Sequence, residues 1–231
     1  MKHIEINYQD KHYKSYRAAR VKSMFNAEGG QGFTKSIQLN LPETWQLGLI
    51  VGRSGSGKTS LGRQFFTDDK IYNPYAHWDS GKPIIDCIAP TGDFNAVTSA
   101  LAGVGLGDVP SWLKPFNALS NGQQFRAGLA RLLSDAPNQV IIDEFTSVVD
   151  RQIAKIGAMA FGKAWRRHGN KQAVLLSCHY DVIEWLQPDC VYDMDTSTLK
   201  KKQILPNGQP LSLTFSRSTA LTGSYLKSII T

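Results

Sequence analysis

Cysteine is scarce: Cys87, Cys178 and Cys190 are the only three in 231 residues, and no two stand in a CxxC spacing. So few and so dispersed a set argues against a disulfide scaffold and against a structural zinc site, and it fits a reducing, cytosolic compartment. Long apolar runs are missing too. None approaches the roughly 20 residues that a membrane-spanning helix needs, so no transmembrane segment is expected. The opening Met1-Lys2-His3-Ile4-Glu5-Ile6 mixes polar and apolar residues and holds no apolar h-region, so no secretory leader is expected. Internal repeats and low-complexity blocks are absent. With 42% hydrophobic and 19% charged residues, the composition is that of an ordinary globular chain, long enough for a single domain over 1–231.

Acidic residues are short at both ends. Residues 1–35 hold seven Lys and Arg against three acids, and residues 200–231 hold five against none. Between them, 14 basic residues face 16 acidic ones, so the net charge of +7 belongs to the flanks. Basic flanks can draw in a polyanion such as nucleic acid, or they can be solvated surface, as the run Lys200-Lys201-Lys202 also allows.

Between the flanks, short apolar runs alternate with helical patterns. Leu47–Val51 reads as a buried strand, Thr59–Phe66 as a helix, Pro83–Asp86 as a strand and Phe94–Leu101 as a helix ended by the glycines that follow. Ser120 and Gln123 form the pattern of a capping box at the start of a helix to Leu133, whose apolar face is Phe125, Leu129, Leu132 and Leu133. Gln139–Ile142 is the next strand, and a helix capped by Asp150 runs towards Arg167. Ala173–Leu176 is a strand, Asp181 opens a short helix and Cys190–Tyr192 is a last core strand. This alternation predicts an α/β fold with a largely parallel sheet. Ligands of such sheets lie beyond the carboxyl ends of the strands, and Gly52, Asp143-Glu144 and His179 all follow strand ends.

Gly52-Arg53-Ser54-Gly55-Ser56-Gly57-Lys58-Thr59 matches G-x-x-x-x-G-K-[ST] in full, between a strand and a helix. Glycines let backbone N–H groups converge on phosphate oxygens, and the helix start adds positive potential. Ser54, Gly55, Ser56, Gly57 and Ser60 complete the candidate cradle. Lys58 reaches the β- and γ-phosphates and Thr59 offers its hydroxyl to Mg²⁺. Asp143, after a buried strand, is a second candidate for holding Mg²⁺, and Glu144 is the candidate to orient or deprotonate an attacking water.

Leu119-Ser120-Asn121-Gly122-Gln123 resembles the LSGGQ signature of ABC ATPases, departing from it at Asn121. Ser147-Val148-Val149-Asp150 looks like that family's D-loop, and His179 stands where it has its switch histidine. With the phosphate loop and the acidic pair, these motifs cover about residues 36–195. The resemblance implies a P-loop NTPase of ABC type, with a short helical subdomain at about 86–134 and a small antiparallel N-terminal β part. It implies ATP and Mg²⁺ as ligands and a head-to-tail homodimer. In that dimer Ser120, Asn121, Gly122 and Gln123 meet the γ-phosphate held by the partner, Asp150 communicates across the interface and His179 senses the γ-phosphate. The family's glutamine ahead of the helical subdomain has no counterpart, and Asp86 is the nearest candidate to hold Mg²⁺ or water there. Phe25 and Phe33 are the candidates for stacking on adenine.

Three longer strings, at 110–116, 143–151 and 178–181, resemble soluble ABC ATPases associated with a GNAT-like acetyltransferase domain, a branch with relatives linked to phage DNA modification. An acetyltransferase-like partner would then be a separate chain. The expected function is ATP hydrolysis that drives a partner protein or a nucleic-acid transaction. The alternative is the ATP-binding subunit of a membrane transporter. Only 62 positions separate Lys58 from Ser120, and the helical subdomain that transporters dock on looks trimmed. A non-hydrolysing clamp fits poorly with intact Lys58, Asp143, Glu144 and His179.

Overall fold

Period-two alternation sets the first elements. In β1 (Lys2–Tyr8) Ile4 and Ile6 are buried while His3, Glu5 and Asn7 are exposed, and in β2 (Phe33–Leu39) Ile37 and Leu39 are buried. The two strands pair antiparallel with Ile4 opposite Ile37, so their apolar residues share one face. Between them stands α1 (Tyr16–Phe25), capped by Ser15 and with no buried residue. The computed structural model describes residues 2–8, 15–26, 33–66 and 70–202. The chain divides into two units, Met1–Lys201 and Lys202–Thr231. Apart from Lys200–Lys202, the basic C-terminal flank lies outside the described residues.

A second sheet carries the core. It contains β3 (Leu47–Val51), β4 (Ile71–Tyr72), β5 (Gln139–Ile142), β6 (Gln172–Ser177), β7 (Cys190–Asp193) and β8 (Thr198–Lys201), in the order β4-β5-β6-β3-β7-β8. All neighbours are parallel except β8, which returns antiparallel on β7. The central strands are apolar on both faces, because both are covered. Leu47, Leu49, Val51, Val140, Ile142, Ala173 and Leu175 belong to one apolar cluster, with α4 (Phe94–Gly103), α6 (Asn121–Asp135) and α7 (Arg151–Trp165). Ile50, Ile141, Val174 and Leu176 belong to the other, with Leu61 and Phe65 of α2 (Lys58–Phe65) and the apolar residues of β1 and β2. Among the described residues no helix is long and apolar enough to cross a membrane.

The α/β class, the largely parallel sheet and the antiparallel N-terminal part are as expected, and β5 has the expected bounds. The strand expected at Pro83–Asp86 is instead a helical turn, α3 (Ile84–Cys87). Its physical reason lies in the burial pattern: Ile84 and Ile88 are both fully buried in the first cluster while Asp86 between them is exposed, whereas a strand would put all three on one face and a helical turn brings i and i+4 together with i+2 turned away. The edge of β5 is taken by β4, where Ile71 and Tyr72 pair with Ile141 and Ile142.

The segment after β4 is held tightly on α6. Tyr72 donates its hydroxyl hydrogen to the Gly128 carbonyl (3.0 Å), and Arg131 lies over the Trp78 ring at 4.1 Å while donating to Ala76 O and His77 O. A Cβ on Gly128 would stand 2.4 Å from Pro74 Cβ and 3.1 Å from its carbonyl oxygen. Backbone cannot yield as a flexible side chain can, so Gly128→Ala is expected to destabilise by about 2 kcal/mol through overpacking. A thermal melt should then show the midpoint lowered by roughly 4–8 °C; an unchanged midpoint would contradict this packing.

Candidate functional site

Three adjacent parallel strands, β5, β6 and β3, end on one edge of the sheet, and each releases one expected motif there: Asp143-Glu144 after β5, Cys178-His179 after β6 and Gly52 after β3. A cavity of about 530 Å³ opens at this edge. It is lined by Ser54, Gly55, Gly57, Lys58, Thr59 and Ser60 from one side and by Asp143, Glu144, Ser147, Leu176 and Cys178 from the other. The phosphate loop and the acidic pair, 85 positions apart between Lys58 and Asp143 in sequence, thus face each other across one cavity.

The loop takes its shape from its first glycine and its neighbours. A Cβ on Gly52 would stand 2.7 Å from Met194 Cβ and 2.9 Å from Ser56 Oγ, so no other residue fits. Gly57 takes the N-cap position of α2 at φ 89 with no side-chain cap, leaving the first-turn N–H groups without a side-chain partner. Lys58 Nζ donates to the carbonyls of Gly52 and Arg53, both at 2.8 Å, which places the ammonium group at the centre of the loop. Ser56 Oγ and Ser147 Oγ are buried without a hydrogen-bond partner. Such atoms are costly to bury unless a ligand or water meets them.

On the opposite wall the backbone is strained. Glu144 (φ 53) and Thr146 (φ 69) are both left-handed, a geometry that costs about 1–2 kcal/mol for a residue with a side chain. Phe145 between them holds the segment in place: it is buried, packs with tilted rings at 5.8 and 6.1 Å centroid distance against Phe125 and Phe161, and gives its N–H to Leu176 O at 2.9 Å. Glu144 N donates to Asp143 Oδ1 at 2.8 Å, and the Glu144 side chain stays exposed in the cavity. Strain of this kind gathers where geometry serves a task.

His179 follows β6 beside the cavity. Its N–H bonds Ser177 Oγ (3.1 Å) and its ring Nδ1 lies 3.5 Å from Cys178 Sγ. Burial, then the Arg151 charge, push its imidazole below the ordinary histidine range, against the opposing pull of Asp181 and Glu144. The ring is therefore held neutral near pH 7.

The signature segment lies elsewhere. Ser120 caps α6 in a full capping box: Ser120 N donates to Gln123 Oε1 (3.0 Å) and Gln123 N to Ser120 Oγ (3.4 Å). Gln123 Nε2 also donates to Ser111 Oγ at 2.8 Å, so its side chain is a structural clamp. A Cβ on Gly122 would stand 2.5 Å from Ile153 Cδ1 of α7. Ser120 and Asn121 are exposed, and none of residues 120–123 lines the cavity. Asp150 caps α7, accepting from Gln152 N and Ile153 N, both at 3.0 Å.

Asp86 does not join this site. It is exposed on α3 and lines no part of the cavity. The strand beside β5 is β4, and Asn73 follows it. The two residues of β4 are too few for a periodic signal. Phe25 is 73% exposed on α1, and the Phe33 side chain lies outside the described residues. Ser147, Leu176 and Cys178 line the cavity without having been singled out as site residues; each neighbours a motif, and the motif was the only available signal.

Among the described residues no group of three or more His, Cys, Asp or Glu side chains is placed to hold a metal. The donor set at the cavity, one hydroxyl from Thr59 and one carboxylate from Asp143 with the phosphate cradle beside them, suits an ion that takes most of its ligands from phosphate and water.

No family model matches this sequence. The chain is 31% identical over 189 residues to the aliphatic sulfonates import ATP-binding protein SsuB 3 of Pseudomonas savastanoi pv. phaseolicola, a match covering 71% of this chain and 67% of that one. It is 30% identical over 181 residues to the corresponding SsuB protein of Pseudomonas putida, covering 68% and 64%. Among solved structures, its fold is similar to the ATP-binding cassette MJ0796 in a dimeric post-hydrolysis state bound to ADP and Pi, with a TM-score of 0.56 at 16% identity over 76% of this chain and 94% of that one. A second dimeric structure of MJ0796, described as a bacterial ABC transporter cassette, gives a TM-score of 0.54 at 16% identity over 72% and 88%.

Proposed function

The chain belongs to the family of ABC ATP-binding cassettes, and we propose that it is the ATP-hydrolysing subunit of a membrane import complex, closing as a head-to-tail homodimer around two nucleotides. The observation that carries the dimer is the divided site. The phosphate loop, Asp143 and Glu144 line one cavity while the capped start of α6 is exposed outside it. A second copy related by a two-fold axis brings that helix start, with its N–H groups, to the open side of the triphosphate.

In this reading the residues divide the work as follows. The 54–60 backbone and Lys58 hold the β- and γ-phosphates. Thr59 and Asp143 would hold Mg²⁺, which when bound offsets charge on the phosphate oxygens. Glu144 takes a proton from the attacking water at its carboxylate. His179, neutral near pH 7, has one ring N–H to donate towards the γ-phosphate and one bare nitrogen to accept. Asp150 spends its carboxylate on the α7 cap, so it acts through the shape of the 144–150 loop.

Import is proposed because the relatives above are import ATP-binding proteins. One observation favours a second reading, a cassette that drives a soluble partner. Between β4 and α6 the insertion holds the four-residue helices α3 and α5 (Val109–Trp112) and, at ten residues, α4 as its one longer helix. The narrower resemblance to acetyltransferase-associated cassettes, and the nucleic-acid contact that basic flanks would make, belong to this second reading.

Cell fractionation separates the two. Import predicts that the full chain sediments with membranes and co-purifies with a permease in mild detergent. Complete recovery in the high-speed supernatant, bound to a soluble protein, would replace import by the second reading. DNA contact would show as column retention that falls steeply with salt, because each phosphate contact releases a counterion.

A further inference from the structure

The turn between β7 and β8 is bonded to three separate parts of the molecule. Met194 N donates to Val51 O at 2.8 Å, and Lys35 Nζ of β2 donates to Met194 O at 2.9 Å. Asp195 accepts from Arg53, the second residue of the phosphate loop, through both the backbone N–H (3.2 Å to Oδ2) and Nε (3.3 Å to Oδ1). Tyr180, the residue after His179, reaches the same turn. Its hydroxyl lies 3.0 Å from Asp193 Oδ1 and 3.1 Å from Asp195 Oδ2.

The proton count constrains this contact. A phenol has one hydrogen to give, and two carboxylates lie within reach of it. Asp193 Oδ1 already accepts from Asp195 N (2.9 Å) and Thr196 N (3.3 Å), while Asp195 is held by Arg53. The hydroxyl therefore sits between two fixed acceptors on one rigid turn. Burial, then the hydrogen bond to Asp193, raise the phenol well above its ordinary range, so it keeps its proton throughout the working pH. The other end of the same short loop is fastened separately. Asp181 pairs with Arg151 of α7, whose guanidinium also lies 4.8 Å from the Trp185 ring centroid. His179 thus stands between two anchors, one leading to the phosphate loop and one to the first turn of α7.

We infer that Tyr180 is a positioning residue for ATP hydrolysis: through Asp195 it fastens the His179 loop to Arg53, so the segment that cradles the phosphates also sets the place of the imidazole. The inference rests on the ATPase reading above and adds to it a residue that touches neither nucleotide nor water. Its signature is a selective loss of turnover. The cradle itself, including Lys58 and the α2 start, makes no bond to Tyr180, so nucleotide affinity should be spared.

The test uses the full chain. Tyr180→Phe is expected to lower kcat about tenfold with KM changed less than about twofold, the scale of a small misplacement at a reacting centre. Asp195→Ala should do the same, and the double variant should fall no further than either single one, because both remove one link. A thermal melt of each variant close to wild type keeps the loss from being ascribed to unfolding, as the 43% exposure of Tyr180 leads one to expect. Wild-type kcat in Tyr180→Phe, a KM rise that accounts for the loss, or two singles whose effects multiply would overturn the inference. Wild-type turnover that Lys58→Ala abolishes is measured alongside and tests the ATPase reading by itself; a wild-type chain without turnover would sink both.

Discussion

Glu144→Gln should lower steady-state ATP hydrolysis by at least about 100-fold, the usual scale for removing a positioned general base. It should leave ATP affinity near wild type and convert the chain to a dimer when ATP and Mg²⁺ are present. The amide keeps the shape of the side chain but accepts no proton from water, so the chemical step stops after the nucleotides are enclosed. The backbone gives a second handle on the same residue. Glu144 is left-handed, held so by the buried Phe145 and its bond to Leu176. Glycine carries no penalty in that region, so Glu144→Gly should lose hydrolysis equally yet melt somewhat higher, by up to about 1 kcal/mol of stability. Size-exclusion chromatography with light scattering reads the dimer, a phosphate-release assay the turnover and a thermal melt the strain. A Glu144→Gln chain that elutes as a monomer at saturating ATP and Mg²⁺ would remove the closed dimer, and full turnover would remove Glu144 from its place beside the water.

The parts of this protein legible in its sequence are those written in local pattern. The capping box at Ser120 and Gln123 is a matter of four residues, and it forms as read. The runs at 47–51, 140–142 and 173–176 are buried on both faces, and an apolar run between turn signals marks such a strand. The convergence of Gly52, Asp143 and His179 on one edge followed from parallel topology, which places every strand end on the same side. What the sequence hid depends on contacts far apart in the chain. Pro83–Asp86 looks like a strand fragment until the first cluster takes Ile84 and Ile88 together and leaves Asp86 exposed, as a helical turn does. β4 has two residues and is defined by pairing with Ile141 and Ile142, some 70 positions away, so it carried no periodic signal. The bridge from Arg53 to Asp195 and Tyr180 joins three segments whose residue types are unremarkable one by one.

Lys58→Ala should weaken ATP binding by at least about 100-fold, since a charge-assisted hydrogen bond contributes about 1.5–3 kcal/mol and the ammonium group can reach two phosphates. Its position makes the argument specific. Nζ sits 2.8 Å from both the Gly52 and Arg53 carbonyls, held by the loop at the point where the phosphates would converge. Those carbonyls also set the size of a side effect. Gly52 is buried, and its carbonyl loses a partner in the variant, a cost of about 1 kcal/mol that should lower the midpoint of an unliganded melt by roughly 2–4 °C. The informative number is the shift that ATP and Mg²⁺ add. At 100 times its dissociation constant a ligand stabilises the wild type by about 2.7 kcal/mol, and this increment should vanish in Lys58→Ala at the same concentration. The two effects have opposite diagnostic value. A lowered unliganded midpoint with the full ATP increment intact would make Lys58 a strut of the loop and nothing more, whereas loss of the increment on a nearly unchanged fold assigns the ammonium group to the triphosphate.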